Sequence, residues 1–465
     1  MIDALSTAKE LLAALAAKQV SARELLALYD ARIDAHNPQL NVIVERNPER
    51  ADALEDRAPL RGLPITLKES INVRGMRTTM GTKQWEHNRS EYDGAIAERT
   101  RAAGAVLLGK TNVPPMLADW QANNPIYGRT NNPWDLTRSP GGSTAGAAAV
   151  AAGLTALEYG SDLAGSIRVP AALCGVYGHR PSETALPRSG QGPLPPLPNA
   201  SRIMGVQGPL ARSAEDLELA FDVVAGAEIG EDVGWRLELP PPRHPRLADF
   251  RVAVLPAVDW APVDPAILAA QERLVERLRA HGCRVAEAQP ALELRQTYEL
   301  YLALMAIMTS LALTAEQREA RLAQLRERDD VLVAGERRGL ASHAGDYIKM
   351  FAVREHLRAA WRSFFREWDV VLAPAFMMLA FPHLESPRDV QVVGKTVPYG
   401  LGSFYPHVAT LPGLPATAFP VELSREGLPI GLQAIGPYLE DRTLFRFAAL
   451  LAREWGGFVA PPSFA

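Results

Sequence analysis

Between about residues 60 and 230, apolar runs of strand length alternate with segments of helix length. GLPITLKESINV, GAVLLGK, LEYGSD and GVYGHRPS carry the apolar runs, and GAAAVAAGL is a stretch of small residues suited to a closely packed helix. Such alternation predicts a sheet covered by helices. FRVAVLP adds a strand, followed by a helix from about Pro265 to His281. Residues 290–366 read as helical and charged, with EQREARLAQLRERDD as a solvated face. WDVVLAPAF, ATAFPVEL and LPIGLQAI then return to the sheet, and a last helix follows Asp441. At the front of the chain, two helices are predicted over about residues 5–37. Thr7-x-x-Glu10 and Ser21-x-x-Glu24 are capping boxes that open them, and Asn37-Pro38 is expected to close the second. Two proline-rich stretches, GPLPPLPNAS (192–201) and LPPPRHPRL (239–247), read as surface loops rather than linkers. No period of 20–50 residues repeats. The pattern predicts one large α/β domain over residues 1–465 with a helical excursion.

Composition narrows the function classes. Hydrophobic residues make up 47% and charged residues 22% of the 465 positions, the balance of a globular protein. A net charge of -4 gives no electrostatic footprint for a nucleic-acid partner. The two cysteines, Cys174 and Cys283, form neither a disulfide framework nor a metal-ligand pair. Charges at Asp3, Lys9 and Glu10 interrupt any signal-peptide core. The longest apolar run, YLALMAIMTSLALT, falls short of the roughly 20 residues that a membrane span needs. A cytoplasmic protein with no membrane partner is the expectation.

GAVLLGKT, Gly104 to Thr111, matches the phosphate-binding pattern G-x-x-x-x-G-K-[ST]. Its four variable residues are Ala-Val-Leu-Leu, which favour a buried strand over a loop wrapped round phosphates. Pro114-Pro115 follow where a helix would have to begin. The segment is therefore expected to be a strand and its exit turn, with Lys110 supporting that turn.

Three other pieces carry candidate chemistry. Lys68 ends an apolar strand, a place where lysine is rare without a partner or a purpose. SPGGSTAGAAAVAAG places Ser143 after Gly141-Gly142 and before a small-residue helix. GSDLAGSIRVP places Ser166 behind a turn of small residues, between Asp162 and Arg168. Each alone suits a structural turn or strand end. Together they suit nucleophilic catalysis: a serine hydroxyl needs a base, no G-x-S-x-G motif is present, and a desolvated lysine can serve. Bringing a lysine from about 10.4 to 7–8 takes roughly 3–5 kcal/mol, within reach of burial. Backbone N–H groups of the turn before Ser166 could hold an oxyanion.

In this combination the chain resembles the amidase signature family. The glycine- and serine-rich core of that family is matched by GGSTAGAAAVAAGLTALEYGSDLAGSIRVPA, and its lysine-bearing strand by GLPITLKESINVRGMRTTMG. LLGKTNVP, NPIYGRTNNPWDLTRSPGG, GVYGHRPS, VQGPLARS, DVVLAPAF and LPIGLQAIGP continue the match in order, with residues around 290–350 least characteristic. The resemblance implies an α/β/α sandwich around a large, mixed, twisted sheet and a Ser–cis-Ser–Lys triad. It assigns Lys68 as base, Ser143 as bridging serine on a cis peptide after Gly142, and Ser166 as nucleophile. It gives the oxyanion hole to the N–H groups of Leu163, Ala164, Gly165 and Ser166, with Asp162 and Arg168 bracing the loop. Three departures accompany it. Thr144 replaces a serine, Ala164 replaces a glycine, and Ser143 and Ser166 stand 23 residues apart, one fewer than expected. The implied activity is amidase chemistry on a small-molecule amide without metal or organic cofactor, in a chain that could form a homodimer. Ester or carbamate hydrolysis, the glutaminase subunit of a tRNA-dependent amidotransferase, and a catalytically weakened small-molecule binder are the alternatives.

Overall fold

The computed structural model describes residues 2–49, 58–193, 203–311, 313–326, 330–385 and 389–465. The first strands are β1 (Ile43–Arg46), β2 (Pro64–Lys68), β3 (Val106–Thr111), β4 (Asn123–Asn124) and β5 (Gly128–Arg129). Next come β6 (Leu157–Asp162), β7 (Tyr177–Arg180), β8 (Val206–Ala211), β9 (Arg251–Val254) and β10 (Arg284–Glu287). The last are β11 (Val370–Pro374), β12 (Asp389–Val392), β13 (Lys395–Pro398), β14 (Ala416–Leu423) and β15 (Pro429–Ile435). Eleven of them form one sheet in the order β1-β3-β2-β6-β8-β7-β14-β15-β11-β9-β10. Pairing is parallel between β2 and both β3 and β6, and between β9 and both β10 and β11. It is antiparallel elsewhere, as in β6–β8 and β14–β15, so the sheet is mixed as expected.

The sequence pattern explains which strands lie inside. β2, β3, β6, β8, β11 and β15 are buried along their whole length, whereas the edge strands β1 and β10 keep partly exposed positions. Interior strands covered on both faces need continuous apolar or paired residues, while an edge tolerates charge. Helices supply the cover. Gly146–Ala151 and Arg168–Cys174 are buried at every position, and their Gly and Ala residues let backbone approach backbone. Gly431, for example, leaves no room for a side chain, since a Cβ there would fall 2.6 Å from Ala172 Cα.

Both N-terminal capping boxes form: Thr7 caps Ala8–Ala16 and Ser21 caps Ala22–Leu40. The second helix nevertheless runs past Asn37-Pro38. Proline lacks one N–H but its fixed φ is helical, so the last turn accommodates Pro38. Asn41, at φ 51°, ends the helix instead, its N–H donating to Asn37 O at 2.7 Å. The excursion is four helices, Leu294–Thr309, Ala315–Gln324, Val331–Leu340 and Ala344–Phe364. Ala315–Gln324 has no buried residue, in keeping with its solvated reading. The stretch 239–247 lacks strand or helix up to Leu247 and is anchored by Arg243, which bonds Glu440 and Asp369. Residues 194–201 of the other proline-rich stretch lie outside the described residues. Among the described residues no helix is long and apolar enough to cross a membrane.

GAVLLGKT is a strand, and it stays one through Lys110 and Thr111. The exit turn begins later than expected because Lys110 pairs with Leu67 and Glu45 inside the sheet. Gly109 serves that packing: a Cβ there would lie 2.4 Å from Glu45 O on the neighbouring strand.

Candidate active site

β2 and β6 run parallel, with Leu67 opposite Tyr159, so their C-terminal ends open at the same edge of the sheet. Lys68 is the last residue of β2, and Ser161-Asp162 end β6. Lys68 is fully buried, with Nζ 2.7 Å from Ser143 Oγ and 3.0 Å from Ser161 Oγ. Ser143 precedes the helix Gly146–Ala151 and follows a cis peptide bond from Gly142. Gly142 is required there, because a Cβ would meet Asp119 O at 2.7 Å and Gln121 N at 2.9 Å. Burial pushes the Lys68 ammonium down to about 7, against the opposing charges of Asp162 and Glu158. A lysine in that range is neutral for much of the time at neutral pH and able to take a proton.

Ser166 stands in the turn between β6 and the helix Arg168–Cys174. Asp162 organises this turn. Its Oδ1 accepts from Gly165 N at 3.0 Å, and its Oδ2 accepts from Ile167 N at 3.2 Å. Arg168 grips the same carboxylate with Nε at 3.0 Å and Nη2 at 2.9 Å, and reaches on to Gln433 Oε1 at 2.7 Å. Burial alone would raise the Asp162 carboxyl; Arg168, with Arg180, overcomes this and holds it well below the usual carboxylate range. Through these contacts Asp162 ties the turn to Arg168.

The expected oxyanion donors divide. Leu163, Ala164 and Ser166 line a cavity of about 440 Å³, and among the described residues their N–H groups have no internal acceptor. Gly165 does not line the cavity, because its N–H is committed to Asp162. Three of the four residues expected to supply donors thus line the cavity. The same loop resolves the Ala164 departure. The position with φ +90° is Gly165, where a Cβ would strike Pro406 Cγ at 2.6 Å, whereas Ala164 keeps an ordinary backbone. Thr144 is accommodated too. Its hydroxyl lies 3.4 Å from Ser161 O, and its methyl fills the space that Gly160 leaves empty. Even with the shortened spacing, Ser143 and Ser166 open onto the same cavity.

Several site residues carry no signal strong enough to find them in the sequence. Ser161 shares the Lys68 amine and accepts from Gln191 Nε2 at 2.6 Å. Trp120 donates from Nε1 to Ala164 O at 2.9 Å, and Tyr301 donates to Leu163 O at 3.3 Å, so both fix the carbonyl side of the turn before Ser166. Tyr301, Leu302, Met305 and Thr309 belong to the excursion and form one wall of the cavity. Glu158, fully buried on β6, accepts from Thr111 Oγ1 at 2.6 Å and is pushed up to about 7 by burial. A carboxylate inside an apolar strand was its only sequence signal. Among the described residues no group of three or more His, Cys, Asp or Glu is placed to hold a metal ion.

Comparison with known proteins places the chain in a family. The family model described as Amidase matches residues 24–445. The chain is 33% identical to a glutamyl-tRNA(Gln) amidotransferase subunit of Thermus thermophilus, over 96% of this chain and 96% of that protein. It is 30% identical to an acylamidase of Rhodococcus erythropolis, over 95% of this chain and 94% of the relative. A solved structure of an inhibitor-bound vestigial complex, described as revealing the origins of an s-triazine catabolic enzyme, superposes with a TM-score of 0.81. It is 28% identical and covers 98% of this chain and 100% of that one. With a family match over most of its length and the fold that goes with it, this chain belongs to the amidase signature family of amide C–N hydrolases.

Proposed function

We propose that this chain hydrolyses a small, largely apolar carboxylic amide through a serine acyl-enzyme. One observation carries the reading. Lys68 is buried, lowered to about 7, and lies 2.7 Å from Ser143 Oγ at the mouth that Ser166 shares. In this reading neutral Lys68 takes the Ser143 proton while Ser143 takes that of Ser166. Ser166 Oγ bonds to the substrate carbonyl carbon, and the resulting oxyanion meets the N–H groups of Leu163, Ala164 and Ser166. The C–N bond breaks as Ser143 returns a proton to the leaving amine. Water then attacks the ester carbonyl by the same relay and releases the acid. The chain 1–465 would act as one unit, cytoplasmic and able to form a homodimer.

The cavity lining bears on the glutaminase alternative. Glutamine carries an α-carboxylate that needs a cationic or multi-donor partner. Among the described residues lining the cavity none is Arg, Lys or His. The walls are instead Met80, Leu117, Trp120, Val206, Leu302 and Met305, which suit an apolar substrate.

The test is covalent labelling followed by turnover. A fluorophosphonate should add to Ser166 in the purified chain, and not in Ser166→Ala. The labelled protein should lose hydrolysis of aryl and alkyl amides in proportion. Labelling on any other residue, with amide hydrolysis intact, would refute the assignment.

A further inference from the structure

Among the described residues lining the cavity are two carboxylates, and only one of them is neutralised. Asp162 is held by Arg168. Asp119 has no cation among the described residues: Tyr399 donates to its Oδ1 at 2.7 Å, Gln121 Nε2 lies 3.4 Å from its Oδ2, and the backbone N–H groups of Trp120 and Gln121 also bond the carboxylate. That Gln121 amide already donates to Leu384 O at 3.1 Å. All of these donors are neutral, so they hold the carboxylate without pairing its charge, which is left for a cationic guest. Leaving a part-buried carboxylate beside Leu117, Met80 and Trp120 without a positive partner is costly.

The position of Asp119 in the site is built rather than incidental. Its backbone carbonyl presses on Gly142, the residue before Ser143. The next residue, Trp120, is bonded to the turn before Ser166 through Ala164 O and packs against Tyr399 with ring centroids 5.2 Å apart. Tyr399 is buried, so its hydroxyl anchors the carboxylate of a residue that lines the cavity. Burial raises the Asp119 carboxyl, against the hydrogen bonds from Tyr399 and Gln121.

We propose that Asp119 is a specificity-determining residue that receives a hydrogen-bond donor, above all an ammonium group, on the non-reacting end of an otherwise apolar amide. The substrate class is therefore an amide of an amino-terminated chain rather than a plain alkyl or aryl amide. This rests on the reading of the cavity as the amide site.

The experiment uses two matched pairs of amides. One pair carries an ammonium or a methyl group at the end of the acyl chain, and the other carries them at the end of the amine. The wild-type chain should favour the ammonium member of at least one pair by about tenfold or more in kcat/KM, mostly through KM. In Asp119→Asn that ratio should collapse toward one, and in Asp119→Glu it should be partly kept. Each ratio is taken within one protein, so partial loss of fold cancels. Should Asp119→Asn be inactive, the Asp119→Glu ratio and the wild-type preference decide. Hydrolysis of the methyl members with no ammonium preference in either pair overturns the Asp119 proposal alone. So does an ammonium preference that survives in Asp119→Asn. No hydrolysis of any of the four, in protein whose Ser166 labels fully, overturns the amidase reading and this proposal with it.

Discussion

β2 and β3 each carry a fully buried lysine, Lys68 and Lys110, on adjacent parallel strands. Burial lowers both, Lys68 to about 7 and Lys110 to about 8. Register separates them. Lys110 stands opposite Leu67 and Lys68 opposite Thr111, so the two side chains leave opposite faces of the sheet. Lys68 meets two serine hydroxyls beside the cavity. Lys110 meets Thr78 Oγ1 at 2.8 Å and the carbonyl of Arg77, in the loop after β2. A depressed lysine pKa is therefore a sign of burial before it is a sign of catalysis. What the amine touches, and whether that partner opens onto a substrate, decides between the two.

Substituting each lysine by methionine should pull the comparison apart. Lys68→Met should lower kcat by several orders of magnitude, with little change in melting temperature, since the groups it leaves unpaired lie beside a cavity that water can enter. Ser143→Ala should match it, and the double variant should be little worse than either, because relay members act as a unit. Additive losses in that cycle would separate the two residues. Lys110→Met should instead leave kcat within a few-fold and cost about 1–3 kcal/mol of stability, by stranding buried acceptors in the 77–78 loop. Denaturant melts of both variants, read beside their rates, check the contrast.

Smaller effects follow from protonation. The proposed relay needs neutral Lys68, so kcat/KM should rise with pH through an apparent pKa near 7 and fall away below it. The negative charge of Glu158 helps Lys68 keep its proton, so Glu158→Gln should move this limb to lower pH. A limb that stays in place, or moves up, would show that another group controls the rate. The smallest expected effect is none. Magnesium ATP at millimolar concentration should leave the melting temperature unmoved, because Val106–Thr111 of GAVLLGKT is a fully buried strand. Binding with a Kd one hundredth of that concentration would add about 2.7 kcal/mol, an effect easily seen.

Much of this was readable in the sequence, for physical reasons that differ by residue. Lys68, Ser143 and Ser166 were legible because their neighbours are constrained: an apolar strand, a pair of glycines and a turn of small residues. The strand GAVLLGKT was legible because Ala-Val-Leu-Leu cannot wrap a phosphate. The commitment of Gly165 N–H to Asp162 was not, since it depends on a side-chain rotation that the order of residues leaves open. Helix termination at Asn41 rather than Pro38 turned on one left-handed residue. Asp119, Gln191 and Tyr301 were hidden because each reaches the site from a separate segment, and only the folded sheet brings those segments together.

The excursion has a consequence for grafting between relatives. The chain leaves the sheet at the edge strand β10 and re-enters at β11, two places in, after four helices that pair with no strand. Their length and sequence are thus free of the strand register that places Lys68 and Ser161 at the ends of β2 and β6. Tyr301, Leu302 and Met305 nevertheless line the same cavity as Ser143 and Ser166. A graft of residues 294–364 from a relative should therefore change substrate preference, and should keep the rate only where Tyr301 and its bond to Leu163 O are kept.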